Sequence, residues 1–462
     1  MTFHTKVFLA IGIMMMPFVS TGAHAYSNGE QCAVDPAWIS SPSMPVEVKK
    51  SGSDGSSNFC DFYQFSWQAY FYLMSPVKAG SDTRQFQVAK NYPLLEFTAE
   101  GQPANSCDET VTENTLRTML NKTPILTHQA GSGVAIFDQN ENVVYYDVRF
   151  NKEMCNLTGS AVEMQKTNTI NFPAGTTELK FAWKVLTESE VQSGMFLTQT
   201  PPSGTLKGVT LGLVGMHIAI ATNDHPEFVW ASYEQSNNAP NCGTASTKAW
   251  SFTSKQCASN SVSCDFNQAK KTDKLKGMPT EICRVFPDGT ADGDLKAKEN
   301  RDDINSTNQQ VASLLNTNSD PNMKLLQNYF TLGGIWLSDT QKGYEVSNQR
   351  GSLRLANPVA ETTYQHVDLT SKTFVSNCFG CHNYNGTAQP VNNNVTSGNL
   401  SHIFFDVLTG QGKAVDIQSG TFLSRDSASQ VCKTTCEGFS LTWNGQWTTE
   451  PGSKSVCGCK LN

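Results

Sequence analysis

Cysteine constrains this chain more than any other residue it carries. Fourteen cysteines run from Cys32 to Cys459, and in an oxidising compartment such residues tie distant segments into fixed geometry. The N-terminus predicts that compartment. Lys6 supplies a positive start, Val7–Val19 is an almost unbroken apolar stretch with Pro17 near its end, and Ala23-His24-Ala25 offers small residues where a signal peptidase reads. That stretch is shorter than the ~20 residues a helix needs to cross a bilayer. Residues 1–25 are therefore read as a signal peptide. The remainder is expected outside the inner membrane, periplasmic or secreted, with no transmembrane segment.

Two of the thiols stand in the motif Cys378-Phe379-Gly380-Cys381-His382. This is the spacing of covalent c-type haem attachment: two thiols one helical turn apart add to the vinyl groups on one edge of the porphyrin, and the next histidine turns beneath the ring to ligate iron. A redox Cys-x-x-Cys would call for a strand before the motif and a long helix after it, whereas Asn383-Tyr384-Asn385-Gly386 is turn-like. One covalent haem c is therefore expected, held by Cys378, Cys381 and His382. No methionine follows His382, so the sixth iron ligand is sought among histidines. His402, the nearest downstream, comes first. His217 comes second, because it interrupts the apolar run Val209–Ala221. Glu178, Lys180 and Glu234 are read either as lining a polar pocket near His217 or as solvent-facing strand residues.

The other twelve cysteines, an even number, are all free to pair, with connectivity open; Cys242, Cys257, Cys264 and Cys283 are close enough to staple one irregular region. Only 16 % of residues are charged and the net charge is −7, which argues against a nucleic-acid partner. Along the chain, Phe62–Leu73 and Thr112–Asn121 read as helices. Gly133–Asp138 and Val143–Phe150 flank a polar turn as a hairpin. Glu178–Leu186 alternates, Val209–Ala221 is apolar on both faces, and Phe228–Glu234 is a third run. Residues 241–307 read as a disulfide-held excursion or a flexible segment, with helix resuming at Asn308–Phe330. The expected class is α+β: a large, mixed, strand-rich haem domain over residues 26–410, a linker at 411–419, and a small disulfide-stapled domain at 420–462.

Two resemblances add to this reading. Gly175–Lys184, Gly212–Ile218, Phe228–Glu234 with Asn238-Ala239-Pro240, and Leu355–Thr362 before the haem motif resemble a family of uncharacterised bacterial mono-haem cytochrome c-like proteins over roughly residues 107–408. That resemblance implies the haem and brings no catalytic residues. At the other end, Cys432-Lys-Thr-Thr-Cys436, Trp443-Asn444-Gly445-Gln446-Trp447-Thr448-Thr449 and Ser455-Val-Cys457-Gly-Cys459 resemble the mannan-binding module of cyanobacterial oligomannose lectins. This implies that mannose-rich glycans are the ligand. Aromatic faces cover sugar C–H patches while amides and hydroxyls bond sugar hydroxyls, and Trp443, Asn444, Gln446, Trp447 and Thr448 supply both, with Gly445 permitting close backbone approach. Cys432, Cys436, Cys457 and Cys459 are expected to form two disulfides. The chain departs from those lectins in having Phe422-Leu423-Ser424 where they tend to have Ile-Trp-Asn, and in carrying one module rather than a tandem, which removes intrachain avidity.

The resulting expectation is a secreted haem protein, targeted to mannose-rich glycans, that transfers electrons to a partner. The alternatives are a haem enzyme of peroxidase or oxidase type with an open iron site, and a glycan-binding adhesin or interaction protein whose haem is structural or absent.

Overall fold

The computed structural model describes residues 32–88, 91–92, 134–157, 172–201, 206, 208–260, 264–270, 275–340, 346–362, 377–382, 401, 414–418, 425–438, 441–448 and 455–461. Residues 1–25, read as a signal peptide, Thr112–Asn121, read as a helix, Cys107 and His402 lie outside them.

The larger unit is an antiparallel sheet. Its strands are β1 (Tyr145–Phe150), β2 (Thr177–Val185), β3 (Thr198–Gln199), β4 (Leu211–Ile220), β5 (Val229–Gln235), β6 (Tyr329–Leu337) and β7 (Gln349–Gly351), in the order β1-β2-β4-β5-β6-β7, with β3 also pairing β4. Alternation assigns the two faces. Leu179, Phe181, Trp183, Met216, Ile218, Ala231 and Tyr233 join one apolar core, while Ala219, Trp230, Ile335 and Leu337 belong to a second core on the opposite face. Central strands buried on both sides read as near-continuous apolar runs, which is why β4 and β5 were visible in the sequence. The hairpin is present as well: Phe137 bridges Val143, and the Asn142 carbonyl accepts the Asp138 N–H.

Two helices cover the first face. Helix α1 (Phe59–Met74) starts at Asn58, whose side chain accepts the Asp61 N–H while the Asp61 carboxylate accepts the Asn58 N–H, a reciprocal cap. It ends at Ser75, where Pro76 forbids continuation. Trp67 and Tyr70 carry it onto Tyr233, with ring centroids 5.1 and 4.3 Å apart. Helix α2 (Ala297–Asn316) buries Asn300, Ile304, Thr307, Val311 and Leu315, a single stripe at helical spacing. It begins eleven residues before the Asn308 start read from the sequence, because its first half is polar outside that stripe. The resumed helix also stops short of Phe330, since Tyr329–Leu337 is β6.

The excursion at 241–307 is stapled as expected: Cys242 pairs Cys283 and Cys257 pairs Cys264, while Cys32 pairs Cys60. The second sheet face is covered by the segment from Leu353 to Thr362 and by a short helix, α3 (Cys378–His382). Gly215 allows that cover to approach, since a Cβ there would meet Val359 Cγ2 at 2.8 Å.

The C-terminal unit is a separate three-stranded sheet, β8 (Ala414–Gln418), β9 (Leu441–Thr448) and β10 (Val456–Leu461), in the order β8-β10-β9, with helix α4 (Arg425–Gly438). The linker expected at 411–419 is thereby corrected. Residues 414–418 pair antiparallel with β10 from Lys460 to Val456; their Gly- and Ser-rich flanks hid a strand that exists only through that pairing. No helix among the described residues is long and apolar enough to cross a membrane.

Candidate functional site

Two places gather the residues singled out by sequence. The first is the sheet face beneath α3. Positions 378, 381 and 382 fall at i, i+3 and i+4 and so share one helix face, whereas Phe379 is fully buried in the core. Asn377 begins the helix: its side-chain oxygen accepts the Gly380 N–H at 3.0 Å, and its amide donates to Gln349 Oε1 at 2.7 Å and to the Leu353 carbonyl at 3.0 Å. The His382 ring lies 4.6 Å from the Trp230 ring at an interplanar angle of 56°.

Register places a titratable cluster beside this motif. Lys180 on β2 pairs with His217 on β4, and both reach Glu361 from the covering segment: His217 Nε2 lies 3.0 Å and Lys180 Nζ 3.5 Å from its Oε1. The imidazole Nε2 makes no aligned hydrogen bond there. Burial raises the Glu361 carboxyl, but the positive partners His217 and Lys180 outweigh it and hold it down at about 2. Glu178 behaves in the opposite sense: desolvation pushes it up to about 7, against the lowering effect of a 2.6 Å hydrogen bond from Ser401 Oγ. Glu178, Ala219 and Trp230 form one row across β2, β4 and β5, which puts positions 178 and 230 about 10 Å apart at the usual strand spacing.

Glu178, Lys180 and His217 thus share one face, as read from the sequence. Glu234 does not join their cluster; its carboxylate is buried and forks onto Arg284, Nε at 2.6 Å and NH2 at 3.0 Å. Sequence reasoning missed Glu361, Trp230, Asn377 and Ser401. Asn377 had a signal, an Asn immediately before a helix. Glu361 had none, because its partners are more than 140 residues upstream.

The second place is the C-terminal unit. Cys432 pairs Cys457 and Cys436 pairs Cys459, joining α4 to the central strand β10. The geometry is matched: four helical residues rise about 6 Å, and two strand residues about 6.8 Å, so two parallel bridges fit without distortion. Trp447 is opposite Cys457 and Trp443 opposite Cys459. Both indoles are half-buried and pack on the cysteine core. Between them, Asn444, Gly445 and Gln446 stand against Gly458 alone, a bulge in β9, the device by which strands turn backbone groups out of a ladder. The outer face of α4 bears an open depression of about 370 Å³ lined by Gln430, Val431, Thr434 and Thr435.

A helix laced by two disulfides to a three-stranded sheet, with a tryptophan pair flanking a bulge, defines a small covalently stapled module. The family model described as MVL, mannan-binding protein, matches residues 425–459. No curated protein and no solved structure matches the chain.

Proposed function

We propose that this is an exported haem protein held on mannose-rich glycans by its C-terminal module, with electron transfer as the task of the larger unit. The observation that carries the glycan half is the mannan-binding family match over the bridged, tryptophan-bearing module. Trp443, Asn444, Gly445, Gln446, Trp447 and Thr448 are assigned to the sugar, through ring faces, the bulged backbone and amide or hydroxyl groups. Export is supported by the five disulfides among the described residues, which a reducing cytosol would not maintain.

The haem half rests on the motif and on its fit. Cys378 and His382 are half-buried rather than lost in the core, their positions share a helix face with Cys381, and buried Phe379 anchors the helix beside Trp230. A haem there would be held by Cys378, Cys381 and His382, with His402 or His217 proposed as a further ligand, and would supply one-electron chemistry. A specific observation favours a second reading, a haem enzyme: Glu178 and Glu361 hold protons to very different degrees within one cluster near the motif, the pattern of an acid and base pair.

Absorbance spectroscopy and haem staining of the full chain test this. A Soret band, staining that survives denaturation, and its loss in Cys378→Ser with Cys381→Ser are expected. A low-spin spectrum supports electron transfer and a high-spin ferric spectrum the enzyme. Absence of any Soret band overturns the haem half and leaves a glycan-binding adhesin.

A further inference from the structure

We infer that Trp230 is the positioning residue for the His382 imidazole, and that it thereby sets how readily the haem iron ligated by His382 gives up an electron; this rests on the haem reading above. The first observation is the ring contact itself, 4.6 Å between centroids at 56°.

The second is that Trp230 is immobilised. It lies in the middle of the sheet, paired to Ala219 on β4 and Ile335 on β6, and is 4 % exposed. Its indole N–H donates to the Glu227 carbonyl at 3.1 Å. Glu227 is fixed in turn, because its buried carboxylate accepts the Leu337 N–H at 3.1 Å and lies 2.9 Å from His225 Nδ1. Phe228, edge-on to Trp230 at 5.5 Å and 88°, has φ +72. A bulky residue stays in that left-handed region only where its surroundings over-determine it.

The third observation is that the motif cannot slide over this platform. Asn377 caps α3 and ties it to Gln349 and Leu353, and buried Phe379 packs beside Trp230 at 6.2 Å. One end of the motif is thus bolted to the fold, and the imidazole at the other end rests on an indole that itself has a fixed orientation.

A partner that orients a metal-ligating histidine tunes the metal, and an apolar shell keeps water from it. Replacing Trp230 by Leu removes the ring contact and opens that side of the imidazole to water. Solvent favours the extra charge of ferric iron, so the variant should hold its electron less tightly.

The test uses the full-length protein with covalent haem, as wild type, Trp230→Phe and Trp230→Leu, reading midpoint potential, visible spectrum and melting temperature. Trp230→Leu should retain haem and show an oxidised-to-reduced ratio shifted about tenfold toward ferric at fixed potential, equivalent to about 59 mV for one electron. Trp230→Phe should fall between it and wild type, and it carries the same test if Trp230→Leu does not fold. Haem-loaded variants that melt lower yet keep the wild-type potential and band positions would show Trp230 to be core packing and overturn the inference alone. Wild type without covalent haem would overturn the haem reading, and this inference with it.

Discussion

Asn377 commits one acceptor and one donor group to holding the helix that begins at Cys378, and the partners of its amide, Gln349 and Leu353, are buried. Asn377→Ala removes the cap and strands the Leu353 carbonyl and the Gln349 amide oxygen, which should cost about 1–3 kcal/mol of stability. Denaturant unfolding of wild type and variant measures it; an unchanged midpoint would mean the cap is dispensable. At the other end of the chain Trp447 serves two purposes, since it packs on the bridged cysteines while flanking the bulge at 444–446. Trp447→Ala should weaken glycan binding by at least ~1 kcal/mol through loss of the aromatic platform. Full affinity in a folded variant would move the sugar site elsewhere on the module.

Among the elements, the two bridges between α4 and β10 fix a unit too small to hold itself together by apolar burial. Removing one, with Cys432→Ser and Cys457→Ser, should cost about 2–5 kcal/mol and release mannan; calorimetric melting reads the first and retention on immobilised mannan the second. In α2, desolvation and the neighbouring Glu299 and Asp302 push Asp303 up to about 7, from an ordinary 3.8. A folded-state value above the unfolded one means that the contribution is fully present below about pH 3.8 and is lost as pH rises through about 7. Asp303→Asn should therefore melt above wild type at pH 8 and match it near pH 3.5. The same or a lower melting point at pH 8 would show that the buried charge carries no cost. Elements with a strong local pattern were legible in the sequence: α1 through its aromatic run, β4 and β5 through their continuous apolar character. Residues 414–418 were not, because that strand is specified by β10 rather than by its own residues.

For the molecule as a whole, the sequence offered two candidate centres and not what surrounds them. The motif Cys378–His382 and the segment Trp443–Thr448 are local patterns whose chemistry depends on spacing. Glu361 against Lys180 and His217, Ser401 on Glu178, and Trp230 under His382 depend on which strands become neighbours, and no spacing encodes that. Glu178, Lys180 and His217 were found together because strand parity and an odd polar residue in an apolar run are both local signals. Glu234 shares their face by register, but its partner Arg284 arrives from the disulfide-held excursion, which no local signal showed. One module gives no intrachain avidity, so the proposed glycan binding predicts single-site affinity for a soluble oligomannose. Titration of the full-length, oxidised protein with oligomannose should show saturable binding with one site per chain, lost on reduction of the disulfides. A folded sample that shows no binding at millimolar sugar would contradict the proposed glycan binding.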